Sequence, residues 1–192
     1  MTNYPFADAS QLRDIESLNL LKEAKTDAQK AWAWNGIRHK GRDNARTPMQ
    51  WTDNENAGFT DGTPWLAMNP NYRQINVREQ EARTDSVLAY YRRLVHLRKA
   101  DAYRETFTYG IFEPAYQEMA DVFAYYRVSG ESGQRILVAA NFGTDAVSLP
   151  LAYPCRQVLL SNLRAESAVE TACEKANALT LESCEVAVIE LG

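Results

Sequence analysis

The sequence predicts an α+β fold in which a helical and loop-rich N-terminal part precedes an antiparallel β-sandwich. Apolar residues follow a helical repeat in two early stretches and again over residues 84–100. Residues 42–76 keep no repeat and contain three prolines and two glycines, which is typical of a long loop. From Tyr103 onward the apolar repeat changes to two, which is the spacing of half-buried strands.

Capping signals predict two N-terminal helices. Asp8 and Gln11 have the spacing of a capping box. The apolar face of the helix after them would consist of Leu12, Ile15, Leu18 and Leu21. Thr26 and Gln29 repeat the spacing before a second helix, which Gly41 would end.

The long loop at 42–76 is expected to be ordered, because flexible linkers lack aromatic side chains. Its aromatic residues are Trp51, Phe59, Trp65 and Tyr72. A loop of this length is uncommon in a compact domain unless it has a function. We therefore expect functional residues in this segment.

One further helix, over 84–100, and seven strands complete the prediction. Thr84 or Asp85 is the expected N-cap of this helix, and basic residues gather near its C-terminal end, where the helix dipole favours cations. The predicted strands are 106–112, 122–128, 135–142, 146–151, 156–161, 178–181 and 185–191. The strand at 135–142 is almost wholly apolar and should be central.

Composition argues against several classes of function. The chain has 192 residues and a net charge of −4, which disfavours nucleic-acid and anionic-membrane partners. No apolar run approaches the roughly 20 residues that cross a bilayer, and no secretory signal pattern is visible. Three irregularly spaced cysteines and two histidines fit neither a disulfide framework nor a metal site. We predict a cytoplasmic protein without a metal or cofactor.

Residues 41–51, Gly-Arg-Asp-Asn-Ala-Arg-Thr-Pro-Met-Gln-Trp, are the most informative stretch of the chain. They combine two arginines, an acid and two amides with a tryptophan. Hydrogen-bonding groups beside an aromatic ring suit a sugar, since a pyranose has polar edges and apolar faces. The acids and amides at 53–58 do not continue as a Ca²⁺-binding loop, because Pro64 lies where the terminal glutamate would be.

Nine short blocks carry a family resemblance. They are residues 13–19, 41–51, 56–59, 64–66, 69–72, 75–77, 90–94, 97–99 and 137–142. In content and order they resemble the oligo-1,6-glucosidase, dextran glucosidase and trehalose-6-phosphate hydrolase group of the α-amylase superfamily (glycoside hydrolase family 13). The resemblance implies that residues 1–103 are the C-terminal end of a catalytic (β/α)8 barrel, comprising the long loop after strand 8 and the last helix. Residues 104–192 would be the C-terminal β-sandwich domain.

The resemblance also implies an activity. The parent protein is expected to be an exo-acting, retaining α-glucosidase that hydrolyses short, α-1,6-linked glucosides. Retaining glycosidases need two carboxyl groups about 5 Å apart. In the family these carboxylates, and the aspartate of an Asn-His-Asp motif, lie upstream of this segment, and neither His39 nor His96 has such a motif. We therefore expect no catalytic residue here and no activity from this chain alone.

Two arginines are the candidate substrate-binding residues. Arg46 is the first choice, because its family counterpart is implied to reach the terminal glucose near the 4-hydroxyl. Arg42 can hold that role instead, and the sequence does not separate the two. A guanidinium suits the role because its fork of donors can hold a carboxylate and a hydroxyl together. Asp43 and Asn44 are expected to build the loop. Trp51, Trp65 and Trp32 are expected to pack in the core, and stacking on a sugar face is the alternative for each of them.

Two alternatives stay open. The chain can be a standalone carbohydrate-binding or scaffolding module built on the sandwich, or a subunit that docks on a separately supplied barrel. Apolar helix faces around Ile15 and Val87 would lack partners without a barrel, so the isolated chain is expected either to self-associate or to have a disordered N-terminal zone. An oligosaccharide is the expected substrate of the complete enzyme. Linkage preference and substrate phosphorylation stay open.

Overall fold

The structure, a computed structural model, describes residues 2–192 and confirms the α+β class. The chain forms two compact units that divide between Ala89 and Tyr90. The predicted domain boundary between residues 103 and 104 stays a prediction. None of the helices in residues 2–192 combines the length and apolarity that crossing a bilayer requires.

The first unit consists of helices joined by irregular segments. Its helices are α1 (Ile15–Glu23), α2 (Asp27–Lys40), α3 (Asp43–Arg46) and α4 (Val77–Glu81), and α5 (Val87–Lys99) begins in it. Single 3-10 turns lie at Ala9–Gln11, Glu55–Gly58 and Pro70–Arg73. The segment predicted as a long loop is therefore mostly irregular, as expected, but contains α3 and two 3-10 turns.

The N-terminal capping boxes both form, with different consequences. Thr26 and Gln29 cap α2, and Gly41 follows its last residue, as predicted. Asp8 and Gln11 cap only a three-residue 3-10 turn. The predicted helix begins later, at Ile15, because Asp14 is the residue whose carboxylate accepts the free backbone N–H of Ser17.

The core of the first unit is small. Phe6, Leu12 and Ile37 are buried together, and Leu18 and Leu21 pack against them. The predicted apolar face is thus correct at Leu18 and Leu21, whereas Leu12 is buried in the same core but precedes α1. Ile15, the fourth, is 61% exposed.

The second unit contains the rest of α5, α6 (Asp101–Tyr109), α7 (Glu166–Ala176) and all strands. The strands are β1 (Ile111–Ala115), β2 (Val122–Val128), β3 (Arg135–Asn141), β4 (Val147–Pro150), β5 (Cys155–Ser161), β6 (Ala178–Leu181) and β7 (Val186–Leu191). A five-stranded sheet has the order β1-β2-β3-β7-β5, and β4 pairs with β6 in a second sheet. Every pairing is antiparallel.

The central position of β3 explains its apolar sequence. Leu137 and Ala139 face a core shared with the second sheet and α7, whereas Ile136 and Val138 face α5 and α6. Both faces are covered, so the strand has no polar side. The two edges of the large sheet differ from its centre. β1 contains Pro114, and the pairing of β5 with β7 has two register shifts.

Two sequence expectations about the second unit and the start of α5 are wrong, and one helix was missed. The predicted strand at 106–112 is helical up to Tyr109, because Thr106 and Phe107 turn into the unit's interior at helical spacing from Tyr103. Helix α7 was not predicted, although Val169 and Cys173 form a buried i, i+4 pair. The hydroxyl of Ser86, rather than Thr84 or Asp85, accepts the backbone N–H of Ala89 in the first turn of α5.

Candidate functional site

An open cleft of about 330 Å³ lies in the first unit, between α1, α2 and the residues that follow α2. Its lining residues are Asp14, Glu16, Ser17, Leu20, Trp32, Gly36, Ile37, Lys40, Gly41 and Arg42. Both apolar and charged side chains line it. This combination suits a ligand with both hydroxyl groups and apolar faces.

Asp14 is the anchor of the charged end of the cleft. Its side chain is only 3% exposed. One carboxylate oxygen, Oδ2, accepts the backbone N–H of Ser17 at 3.2 Å and the Ser17 hydroxyl at 2.8 Å. The other oxygen, Oδ1, accepts Nε and Nη2 of Arg42 at 2.9 and 2.6 Å. Burial opposes ionisation of Asp14, but the hydrogen bonds from Ser17 and Arg42 outweigh it and lower its pKa.

Two carboxylates, those of Asp14 and Glu16, hold the Arg42 side chain at the cleft. Its Nη2 also lies 3.4 Å from Oε1 of Glu16, which is 76% exposed at the cleft. The hydrogen bond to Asp14 raises the pKa of Arg42 against the opposing effect of desolvation, so the guanidinium stays charged. The side chain is nevertheless 47% exposed. Arg42 therefore keeps donor groups accessible while its position is fixed.

Gly41 sets the direction in which the chain leaves α2. A Cβ at this position would lie 2.6 Å from the carbonyl oxygen of Ile37. Only a glycine allows this close approach without a backbone shift. The next residue, Arg42, is thereby placed beside α1.

Asp43 and Asn44 build the loop, as expected. Asp43 is buried, and its Oδ2 accepts the backbone N–H groups of Arg13 and Asp14 at 2.7 and 2.9 Å. Asn44 donates to the carbonyl oxygens of Ile37 and Arg38 and accepts the backbone N–H of Tyr4. These bonds join three segments that are distant in sequence.

Arg46 belongs to the same charge cluster but contacts it loosely. Its Nη1 lies 3.8 Å from Oδ1 of Asp14 and 3.9 Å from Oδ1 of Asp43, and no hydrogen bond to this Asp43 oxygen is found within residues 2–192. The side chain is 40% exposed and does not line the cleft. The structure therefore brings both candidate arginines to Asp14 but only Arg42 to the cleft.

Two acids of this site had no assigned role in the sequence analysis. Asp14 and Glu16 lie in the first of the resembling blocks, about 28 residues before Arg42. Their signal was the position of Asp14 three residues before Ser17, an N-cap spacing at the start of a helix. The pairing with a distant arginine had no local signal.

The expectation that the tryptophans are core residues is wrong within this chain. Trp32, Trp51 and Trp65 are 73%, 48% and 55% exposed. Gln50, the neighbour of Trp51, is buried instead and donates to Asn71 Oδ1 and to the Ile75 carbonyl oxygen. Residues 2–192 also contain no cluster of three or more His, Cys, Asp or Glu side chains that can hold a metal.

Comparisons with known proteins agree on one family. The family model of the α-amylase catalytic domain matches residues 3–110. The chain is 42% identical over 171 residues to the glucan 1,6-α-glucosidase of Streptococcus pneumoniae, covering 88% of this chain and 31% of that protein. It is 39% identical over 178 residues to the oligo-1,6-glucosidase of Parageobacillus thermoglucosidasius, covering 88% of this chain and 30% of that protein.

A solved structure is also similar along the whole chain. The isomaltulose synthase of Klebsiella sp. LX3 superposes with a TM-score of 0.84 at 32% identity, covering 100% of this chain and 34% of that one. The chain thus spans about a third of the length of the relatives that it matches. Because the family model matches more than half of the residues, the chain belongs to the α-amylase family of glycoside hydrolases.

Proposed function

We propose that this chain supplies part of the sugar site of an exo-acting, retaining α-glucosidase that hydrolyses short α-1,6-linked glucosides. The observation that carries the proposal is the Arg42–Asp14–Glu16 cluster at an open cleft. Two relatives named for α-1,6-glucoside substrates support the linkage. Residues 1–103 would be the end of the catalytic barrel, and residues 104–192 the C-terminal domain.

Within this proposal Arg42 rather than Arg46 contacts the sugar. Arg42 lines the cleft, whereas Arg46 lies behind Asp14 and outside it. Because Asp14 Oδ1 already fixes Nε and Nη2 of Arg42, the remaining donors are directed without further ordering. Arg42 would hold a hydroxyl of the terminal glucose, and Glu16 would accept one.

The same geometry supports an inactive isolated chain. Both oxygens of Asp14 are occupied by Ser17 and Arg42, so Asp14 cannot serve as a nucleophile. Glu16 is then the only available carboxylate among the lining residues, and a retaining mechanism needs two. The catalytic carboxylates would come from the remaining two thirds of the enzyme. Three free thiols support the proposed cytoplasmic location.

A hybrid enzyme tests the proposal. In it, this chain replaces the matching segment of the pneumococcal glucan 1,6-α-glucosidase. We expect the hybrid to hydrolyse isomaltose with retention and the 192-residue chain alone to release no glucose. Arg42→Ala should lower kcat/KM of the hybrid by at least about tenfold, since a charged hydrogen bond to substrate is lost.

Two further variants make the test specific. Arg46→Ala should have a smaller effect than Arg42→Ala. Arg78→Ala is the matched control, because Arg78 forms an exposed pair with Asp53 at 2.8 Å, outside the cleft. A folded hybrid without activity, or equal losses in the Arg42 and Arg78 variants, would contradict the proposed function.

A second candidate function is a carbohydrate-binding module, because the second unit has an exposed aromatic groove. The groove has a volume of about 480 Å³, and the centroid of the Tyr125 ring lies 4.9 Å from that of Phe112 and 5.7 Å from that of Phe123. Phe112 and Phe123 are 51% and 56% exposed. On this reading, Phe123→Ala in the full chain weakens retardation in dextran-containing gels, whereas Phe142→Ala, at a ring 72% exposed outside the groove, does not.

A further inference from the structure

We propose that Trp32 is a stacking platform for the sugar rings beyond the terminal glucose, and that the cleft beside Arg42 is therefore specific for oligosaccharides. The inference rests on the proposed function. It deepens that function by naming the residue that would recognise the leaving-group side of an α-glucoside.

Trp32 lies on the exposed side of α2. The helix buries Ala33 and Ile37, which are 1% and 3% exposed, against the core of the first unit. Trp32 points away from that core and is 73% exposed, yet its ring lines the cleft. An indole ring at the wall of a polar cleft offers an apolar plane together with an N–H donor, which matches a pyranose.

The surface of α2 beside the Trp32 ring is open. Gly36 and Lys40 follow Trp32 at four-residue spacing, so the three residues lie on one face of α2. A Cβ at Gly36 would have no heavy atom within 4 Å, so the space next to the indole is open. Leu20 and Glu16 of α1 form the opposite wall. A flat ligand can lie along α2 without obstruction.

Trp32 and Arg42 are separated along the axis of α2. The eight residues from Trp32 to Lys40 rise by about 12 Å along the helix axis. Arg42 lies beyond Lys40, past the end of α2. Trp32 and Arg42 therefore lie at different points along the cleft, as contacts to two successive sugar units would require. If Arg42 holds the terminal glucose, Trp32 contacts a unit on the other side of the scissile bond.

The binding test uses the full 192-residue chain and the four indole N–H signals in its ¹H–¹⁵N NMR spectrum. Titration with isomaltotriose should shift the Trp32 signal saturably, and isomaltose should shift it less.

Trp32→Phe, which assigns the signal, should retain binding because a ring remains. Trp32→Ala should abolish it, and Trp65→Ala, at a ring 55% exposed outside the cleft, should not. An unshifted Trp32 signal overturns the inference. That result is expected if Trp32 is exposed only because the protein surface that packs against it is absent from the isolated chain.

Kinetics of the hybrid enzyme separate this inference from the proposed function. The informative quantity is the ratio of kcat/KM for isomaltotriose to that for α-glucosyl fluoride, whose leaving group contains no sugar. Trp32→Ala should lower this ratio about tenfold, as loss of one aromatic stacking contact does. An unchanged ratio in an active hybrid overturns the platform and leaves Arg42 as proposed. A hybrid inactive on both substrates fails at the proposed function instead.

Discussion

Asp14 has two separable tasks at the scale of single residues. Its carboxylate caps α1 through Ser17 and holds Arg42 through the other oxygen. Asp14→Ala removes both and should lower the free energy of unfolding by about 1–2 kcal/mol, the usual cost of a lost N-cap. Asp14→Asn keeps a good N-cap, so its loss of unfolding free energy should be smaller, although its interaction with Arg42 is also weakened.

Denaturant unfolding of the two Asp14 variants checks this expectation. Ser10→Ala is a suitable control, because Ser10 is exposed and its hydroxyl donates to Asp8, the cap of the preceding 3-10 turn. Equal losses in the alanine and asparagine variants would mean that the cap contributes nothing.

Glu185 predicts a pH dependence of stability. It is fully buried and bonds to Arg164 at 2.8–3.2 Å and to Ser161. Burial opposes its ionisation, but the hydrogen bonds from Arg164 and the Glu182 backbone outweigh it and hold the pKa of Glu185 below 4.5. Since the folded-state pKa is the lower one, the stabilisation is complete above about pH 4.5 and is lost as the pH falls below it.

Glu185→Gln should therefore lower the free energy of unfolding by about 2–3 kcal/mol at pH 7, because Arg164 loses a largely buried partner. The deficit should shrink as the pH falls below 4.5. Glu182→Gln, at an exposed neighbour, is the control. The measurement is denaturant unfolding at a series of pH values, and a deficit that stays constant below pH 4.5 would refute the assignment.

At the scale of elements, opposite effects on stability are expected for alanine substitutions at two glycines, one inside α2 and one directly after it. Gly41→Ala brings a Cβ against the Ile37 carbonyl oxygen and should destabilise the protein by about 1–3 kcal/mol through a forced backbone shift. Gly36→Ala places a Cβ in open space inside the same helix and should stabilise it by about 0.5–1 kcal/mol. Thermal unfolding of the pair checks both signs.

The same elements show where sequence reasoning succeeds. Capping signals and periodicity are local, so Thr26, Gly41 and the central strand β3 were predicted correctly. The strand predicted at 106–112 failed because alternating Thr and aromatic residues also fit one helix face, and packing of Phe107 decided for the helix. Arg42 and Arg46 could not be separated, since their difference depends on Asp14, which is distant in the chain.

At the scale of the whole molecule, exposed apolar side chains predict self-association of the isolated chain. Ile15 and Val87 in the first unit are 61% and 80% exposed. Sedimentation velocity should show a concentration-dependent increase in mass, and the double variant Ile15→Ser/Val87→Ser should reduce it. Leu163→Ser, at a residue 58% exposed in the second unit, is the control. A monomer at all concentrations would contradict this expectation.

The edge strands of the five-stranded sheet, β1 and β5, bear on whether self-association proceeds by adding strands to this sheet. Pro114 in β1 lacks the N–H that an added strand would require, and the register shifts in β5 interrupt its ladder. Neither margin is a continuous template for an amyloid-like stack. Aggregates of the native chain are therefore not expected to grow through these two edges, and a concentrated solution should leave thioflavin T dark.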